Sequence, residues 1–282
     1  MGGIRVVTDS TANLPDHLIA RYGIEVVPLR VLFGNEAFAE GIELSQDEFY
    51  KRLKEAPTLP RTSQPSAGEF AATYERLAQD GSAIVSIHIS SRLSGTFASA
   101  EAAKGMVPNI KVSVVDTATT SMGLALIVVA AARAAESGKS YEEVLRVVGE
   151  LIPRIRLMFA VDTLEYLQKG GRIGTATAFL GSLLSVKPVL SVRDGIVQPL
   201  ERVRTKQRAV DRMVHIAAEE IPPGARVHMG VLHGQAPVEA AALIERVTER
   251  FKPVEVELGE AGPVIATHTG PGVVGLAFYV EP

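Results

Sequence analysis

The chain of 282 residues contains no cysteine. Thiol catalysis, thiolate-bound metal and disulfides are therefore excluded, and the absence fits a reducing, cytoplasmic setting. Net charge is also scarce. Against 32 acidic residues stand 29 lysines and arginines, which leaves −3 and no basic footprint for nucleic acid or an anionic membrane. Long hydrophobic runs are missing too. The most apolar stretch, "MGLALIVVAAA" at residues 122–132, is too short for a bilayer core of about 30 Å, which needs roughly 20 residues. Stable membrane insertion is not expected, and the stretch reads as a helix buried on most sides. No leader peptide is visible before the first strand-like segment, and there are no repeats or low-complexity tracts.

What is present is an ordinary globular composition, 46% hydrophobic and 22% charged, in a chain long enough that two domains are expected. The first half alternates short buried strand patterns (residues 4–8, 83–90, 111–115 and 157–161) with helical ones. Residues 24–33 read as extended and 57–65 as a polar loop. Helices are signalled near Pro15, after Ser66 with Glu69 completing a capping box, and after Ser140 with Glu143 doing the same. Another covers residues 96–104 with Gly105 as its stop, and the apolar helix ends at Gly138. Such alternation predicts a parallel sheet with helices on both faces, closed by the strand at 157–161.

After Thr163 the pattern changes. Asp194-Gly195 between two strand-like runs signals a hairpin. Helices at 205–220 and 237–251 alternate with strands at 227–232 and 254–258. The closing "VIATHTGPGVVGLAFYVE" reads as strand, glycine-rich turn, strand. A mixed sheet with helices on one face accounts for this half.

In open α/β sheets ligands sit beyond the carboxyl ends of the strands, where this chain delivers polar residues. "SSRLSGTFASA" sets Ser94-Gly95-Thr96 at a helix start, where free N–H groups and the helix dipole accept an anion; an ordinary N-cap is the plain alternative. Thr62 and Ser63 of "RTSQPSAGEF" could donate hydroxyls to the same anion, or belong to a capped loop. "KGGRIG" lacks the phosphate-loop pattern but would expose Arg172 on a tight turn, and Arg204 belongs to a basic cluster at 202–208. The strand-end acids Asp9, Asp116 and Asp162 could hold Mg²⁺ but more commonly cap helices; no metal or cofactor is expected. Ser94 as a hydrolase nucleophile would need a glycine two positions earlier. His268, in the glycine-rich turn, is the one histidine outside a strand or helix pattern and so the imaginable base.

"VVTDSTANLP", "RTSQPSAGEF", "SSRLSGTFASA", "LEYLQKGGRIG", "LLSVKPVL", "RVRTKQRA" and "THTGPGVVG", in this order, resemble the DegV family, whose members are similar to the fatty-acid-binding subunits of bacterial fatty acid kinase. The resemblance runs from Ile4 to the C-terminus; near Leu124-Ala125 many relatives carry a second glycine that this chain lacks. It implies an α/β fold of two domains. A parallel three-layer α/β/α domain would cover residues 1–160 and a mixed-sheet two-layer α/β domain residues 161–282, with the ligand site between them. It further implies a carrier without chemistry of its own. The carrier would bury a long-chain fatty acid such as palmitate, stearate or oleate and present its carboxylate to a separate ATP-binding kinase subunit. The product would be an acyl phosphate for phospholipid synthesis. Thr62, Ser94, Gly95 and His268 would meet the carboxylate, with Ser63 and Thr96 beside them. Arg172 and Arg204 would contact the kinase or the acyl phosphate. The acyl channel would run along residues 178–186 and the apolar helix. The competing readings are an autonomous enzyme, either a serine hydrolase using Ser94 and His268 or a small-substrate phosphotransferase, and a sensor of acyl chains that passes nothing on.

Overall fold

A computed structural model describes residues 3–181 and 186–281 of the chain. In chain order the first half runs β1 (Ile4–Asp9), α1 (Asp16–Tyr22), β2 (Glu25–Val27), β3 (Arg30–Phe33), β4 (Glu36–Ala39), α2 (Gln46–Glu55), β5 (Arg61–Ser63), α3 (Ala67–Leu77), β6 (Ala83–His88), α4 (Thr96–Met106), β7 (Val112–Asp116), α5 (Ser121–Glu136) and α6 (Tyr141–Leu151). The second half runs β8 (Arg156–Ala160), α7 (Glu165–Lys169), β9 (Lys187–Arg193), β10 (Ile196–Val203), α8 (Lys206–Glu220), β11 (Val227–His233), α9 (Pro237–Phe251), β12 (Glu255–Glu260), α10 (Pro263–Thr269) and β13 (Val274–Val280).

The fold is mixed α/β. Four parallel strands in the order β2-β1-β6-β7 form one sheet, and a separate mixed sheet has the order β10-β9-β8-β13-β11-β12. Strand alternation sorts the apolar side chains of the parallel sheet onto its two faces. Val6, Val85 and Ile87 meet α5 and α6, while Val7 and Ile84 meet α3 and α4. Both faces being covered, β1 and β6 carry buried apolar side chains on both. The capping boxes form as expected: Ser66 with Glu69 opens α3, and Ser140 with Glu143 opens α6. The hairpin at Asp194-Gly195 also forms, with φ of 52° and 78°.

The mixed sheet is sorted in the same way. Met158, Met229, Val231, Leu276 and Phe278 face α8 and α9. Leu157, Phe159, Leu190, Leu232 and Ala277 face the other way, into the core that contains α5. This helix touches β11 and β13 on one side and β1 and β6 on the other. It therefore lies between the two sheets, which is why 12 of its residues are buried and why it reads as apolar all round. Close approach needs small residues opposite it. A Cβ on Gly230 of β11 would meet Met122 at 2.8 Å, and one on Gly259 of β12 would meet it at 2.6 Å.

Four local expectations are corrected. The strand at 157–161 does not close the parallel series: β8 pairs antiparallel with β13 and β9. It is buried on both faces, so its apolar run imitates a parallel strand. The segment 24–33 splits, with β2 in the parallel sheet and β3 in a small antiparallel sheet of order β4-β3-β5. The polar stretch at 57–65 contributes β5 to that sheet. Finally, "VIATHT" is helical. Pro263 stands at the first turn of α10, where its missing N–H costs nothing. The hydroxyls of Thr267 and Thr269 donate to the carbonyls of Pro263 and Ile265, so both are satisfied inside the helix. A smaller shift concerns α4, which runs through Gly105 to Met106. Among the described residues no helix is long and apolar enough to cross a membrane.

Candidate ligand-binding site

A narrow cavity lies between the carboxyl edge of the parallel sheet and the α5-facing side of the mixed sheet. Leu157, Phe159, Val192, Val197 and Leu232 of the mixed sheet line it, together with Ile265 of α10, Leu167 of α7 and Ile89 beyond β6. The wall is therefore mostly apolar, with six hydroxyl residues, one histidine and one arginine set into it. Residues 182–185, expected as part of the channel, lie outside the described residues; Phe179 and Leu180 pack against the main core.

The polar groups come from separate parts of the chain. Thr62 is the middle residue of β5 and lies opposite Val31 of β3. Its hydroxyl is 2.9 Å from Nε2 of His268, in the last turn of α10. The other ring nitrogen, Nδ1, has no partner and is sealed from solvent. Burial, and after it the Arg172 guanidinium, pushes the imidazole down to about 4. His268 is accordingly neutral at pH 7, with one ring N–H to donate and one lone pair to accept. Gly170 lies against this ring, where a Cβ would collide with Nδ1.

Ser94 sits just before α4, and its hydroxyl is 2.9 Å from that of Thr96. The loop that carries it is pinned from two sides. Ser90 Oγ donates to Gly195 O at 2.8 Å and Arg92 Nη1 to Asp194 O at 2.8 Å, which ties it to the β9–β10 hairpin. Arg172 Nε donates to Leu93 O at 3.1 Å and its Nη1 to Gly170 O at 2.8 Å. Among the described residues no carboxylate pairs with Arg172, so a half-buried cation in the cavity wall keeps charge available to an anionic ligand. A lower anchor fixes α10 from its other end. Glu40, buried and pushed up to about 7 by that burial, accepts the Val264 N–H at 2.8 Å.

Of the residues singled out from sequence, Thr62, Ser94, Arg172 and His268 line the cavity. Thr96 is fully buried behind Ser94. Gly95 is the N-cap position of α4, with the Gln64 side chain where its Cβ would be, at 3.0 Å. Ser63, next along β5 and thus on its other face, is not in the wall. Arg204 is exposed between β10 and α8, away from the lining. The wall residues that sequence reasoning missed are Thr11, Thr120, Ser121 and Thr269. Their signal was the polar run after each parallel strand, which marks the sheet edge without saying which side chains turn inward.

Ser94 and His268 share no hydrogen bond, since each is engaged by its own threonine. The strand-end acids are likewise engaged separately. Asp9 accepts from Thr11 N and contacts Nδ1 of the buried His88 at 2.9 Å. Asp116 accepts from Ser91 N and Ala118 N. Asp162 pairs with Lys187 and Lys206. Among the described residues no group of acids and histidines is placed to hold a metal ion.

Comparison with known proteins agrees with this architecture. The profile of the DegV family, described as uncharacterised proteins, matches residues 3–281. A DegV domain-containing protein of Halalkalibacterium halodurans is 40% identical over 282 residues, covering all of both chains. Protein DegV of Bacillus subtilis is 38% identical over 276 residues, 98% of each. Among solved structures, a fatty-acid-binding DegV family protein from Thermus thermophilus superposes with a TM-score of 0.94 at 37% identity, covering 99% of this chain and 100% of that one. A stearic-acid-binding protein from Eubacterium ventriosum superposes with a TM-score of 0.92 at 27% identity, covering 98% of each.

Proposed function

The chain belongs to the DegV family, and from that premise we propose that it binds one long-chain fatty acid, such as palmitate, stearate or oleate, in the cavity between its two sheets. The observation that carries this reading is the composition of one enclosed wall: broad apolar strand faces, with Thr62, His268, Ser94 and Arg172 set among them. The apolar faces suit a hydrocarbon chain. At about 0.8 kcal/mol per buried CH₂, a chain of about fifteen carbons offers about 12 kcal/mol gross, from which association and ordering remove several kcal/mol. Binding that survives purification is expected. Ser94 and Thr62 would donate to the carboxylate, with His268 beside it donating its Nε2–H to the Thr62 hydroxyl and Gly95, Ser63 and Thr96 shaping the loops behind them. The structural relatives described as fatty-acid-binding support the same assignment.

The finer reading is that the protein is a carrier subunit in the cytoplasm, without a catalytic group of its own. A separate ATP-binding kinase subunit would bring the γ-phosphate to the bound carboxylate. A carboxylate oxygen would form the new bond to phosphorus, the bond to the departing ADP would break, and an acyl phosphate would result. Neutral hydroxyl donors leave such a carboxylate more nucleophilic than a bidentate guanidinium clamp would. Arg172, tied to two backbone carbonyls, would meet the added phosphate charge, and Arg204 the kinase. Separate engagement of Ser94 and His268 counts against a hydrolase. The division into domains at residues 1–160 and 161–282 is best drawn slightly earlier, ahead of β8, whose partners are all in the mixed sheet.

The first test is mass spectrometry of an organic extract of the purified protein, before and after exposure to a panel of fatty acids. One near-stoichiometric fatty acid is expected. Thr62→Ala combined with Ser94→Ala should weaken its binding at least about tenfold, and, because His268 and Thr96 lose partners, lower the melting temperature of the ligand-free protein by a few degrees without unfolding it. An extract empty under both conditions would remove the fatty acid reading. Ester turnover, or phosphoryl transfer by the protein with ATP alone, would favour the enzyme instead.

A further inference from the structure

Six hydroxyl residues line the cavity: Thr11, Thr62, Ser94, Thr120, Ser121 and Thr269. Four have partners within the protein. Thr11 is bonded to Asp9, Thr62 to His268, Ser94 to Thr96, and Thr269 to the carbonyl of Ile265. Thr120 and Ser121 differ. Thr120 Oγ1 is sealed from solvent with no partner. Ser121 is only 3% exposed, and its hydroxyl takes part in no hydrogen bond among the described residues. An unpaired hydroxyl sealed from solvent is costly; Thr120 has one, and Ser121 beside it in the cavity wall leaves its hydroxyl without a protein partner among the described residues, so the pair asks for a ligand atom.

Their position adds a second, independent pull. Thr120 occupies the N-cap of α5, the 16-residue helix between the sheets, yet its side chain makes no capping bond. The first turn therefore keeps free N–H donors and the positive end of the helix dipole. Ser121 holds φ at 52°, a left-handed conformation uncommon for a residue with a side chain. Among the described residues no hydrogen bond links Thr120 or Ser121 to Thr62, Ser94, His268 or Arg172, so these two hydroxyls are not engaged by the carboxylate cluster.

We propose that Thr120 and Ser121 at the start of α5 form a second polar subsite in the acyl cavity, which receives a hydroxyl or keto oxygen carried on the fatty acid chain. The inference rests on the fatty acid reading and deepens it, because it names an oxygenated acyl chain as a ligand class. The oxygen would accept from the two side-chain hydroxyls or from the helix N–H groups, and a chain hydroxyl would also donate back. An unsubstituted chain would fill the same cavity while leaving both groups unpaired.

The test compares octadecanoic acid with a series of its monohydroxy and keto derivatives, the oxygen placed at successive carbons, by calorimetric titration. Wild-type protein should bind at least one derivative as tightly as, or more tightly than, the unsubstituted acid. Thr120→Val with Ser121→Gly removes both hydroxyls, and glycine accepts the left-handed backbone without strain. That variant should lose at least about tenfold for the favoured derivative and keep or improve its affinity for the plain acid. Should the double variant fail to fold, Ser121→Gly alone is measured. Equal shifts for both ligands, or a wild type that rejects every derivative about tenfold or more, would overturn the subsite and assign the two hydroxyls to bound water. If no fatty acid of any kind binds, it is the parent reading that fails.

Discussion

At the scale of single residues, burial costs His268 its proton. The folded imidazole titrates at about 4, against about 6.5 for an unperturbed histidine. Between those values the unfolded chain binds a proton that the folded protein refuses. The His268 contribution to stability is therefore full above pH 6.5 and declines as the pH falls toward 4, by about 3 kcal/mol over the whole interval; Glu40, pushed up to about 7, takes up a proton on folding and opposes it. His268→Gln should remove the decline, so that variant and wild-type stabilities, measured by urea unfolding at a series of pH values, diverge as the pH falls below about 6.5. A variant curve parallel to wild type would assign the acid sensitivity to other groups. Thr62 and His268 could each be singled out from sequence, but not their hydrogen bond, because 206 residues separate them.

Among elements, α5 has the most demanding fit. Its Met122 lies against two glycines on neighbouring strands, Gly230 and Gly259. Gly230→Ala would place a methyl group 2.8 Å from Met122 Cε and 3.0 Å from its Cβ, so a rotamer change alone does not make room. Overpacking of this kind costs about 1–3 kcal/mol. The expected result is a lower urea midpoint with unchanged slope; an unchanged midpoint would mean that α5 can shift outward freely. The short helix α10 illustrates a different limit. Its β-branched residues favour a strand by propensity, but Pro263 at the first turn and the Glu40 carboxyl on the Val264 N–H favour a helix, inside which both threonine hydroxyls are satisfied. The Glu40 contact reaches across 224 residues, which a propensity count does not contain.

Across the whole molecule, one core joins the two sheets, since side chains of both and of α5 belong to the same buried cluster. The halves should therefore unfold together, with far-ultraviolet circular dichroism and tyrosine fluorescence tracing coincident transitions. The cavity lies in that shared core. A fatty acid bound there stabilises only the folded state, by about 2.7 kcal/mol at a free concentration one hundred times Kd, which should raise the melting temperature by several degrees. Two separated transitions, with only one of them moved by ligand, would show that the halves are energetically independent.

What the sequence determined by itself is what local physical chemistry can encode: the alternation of short strands and helices, the capping boxes at Ser66 and Ser140, the Asp194-Gly195 turn, and polar residues after the parallel strands. Each of these depends on residues a few positions apart. The tertiary structure decided which sheet β8 joins, because a strand buried on both faces looks alike in either. It also decided that α10 is a helix, that Arg172 faces the cavity while Arg204 faces solvent, and that Thr120 and Ser121 are left unpaired. Those outcomes depend on which distant segments meet, and an amphipathic pattern specifies that a face is buried without specifying against what.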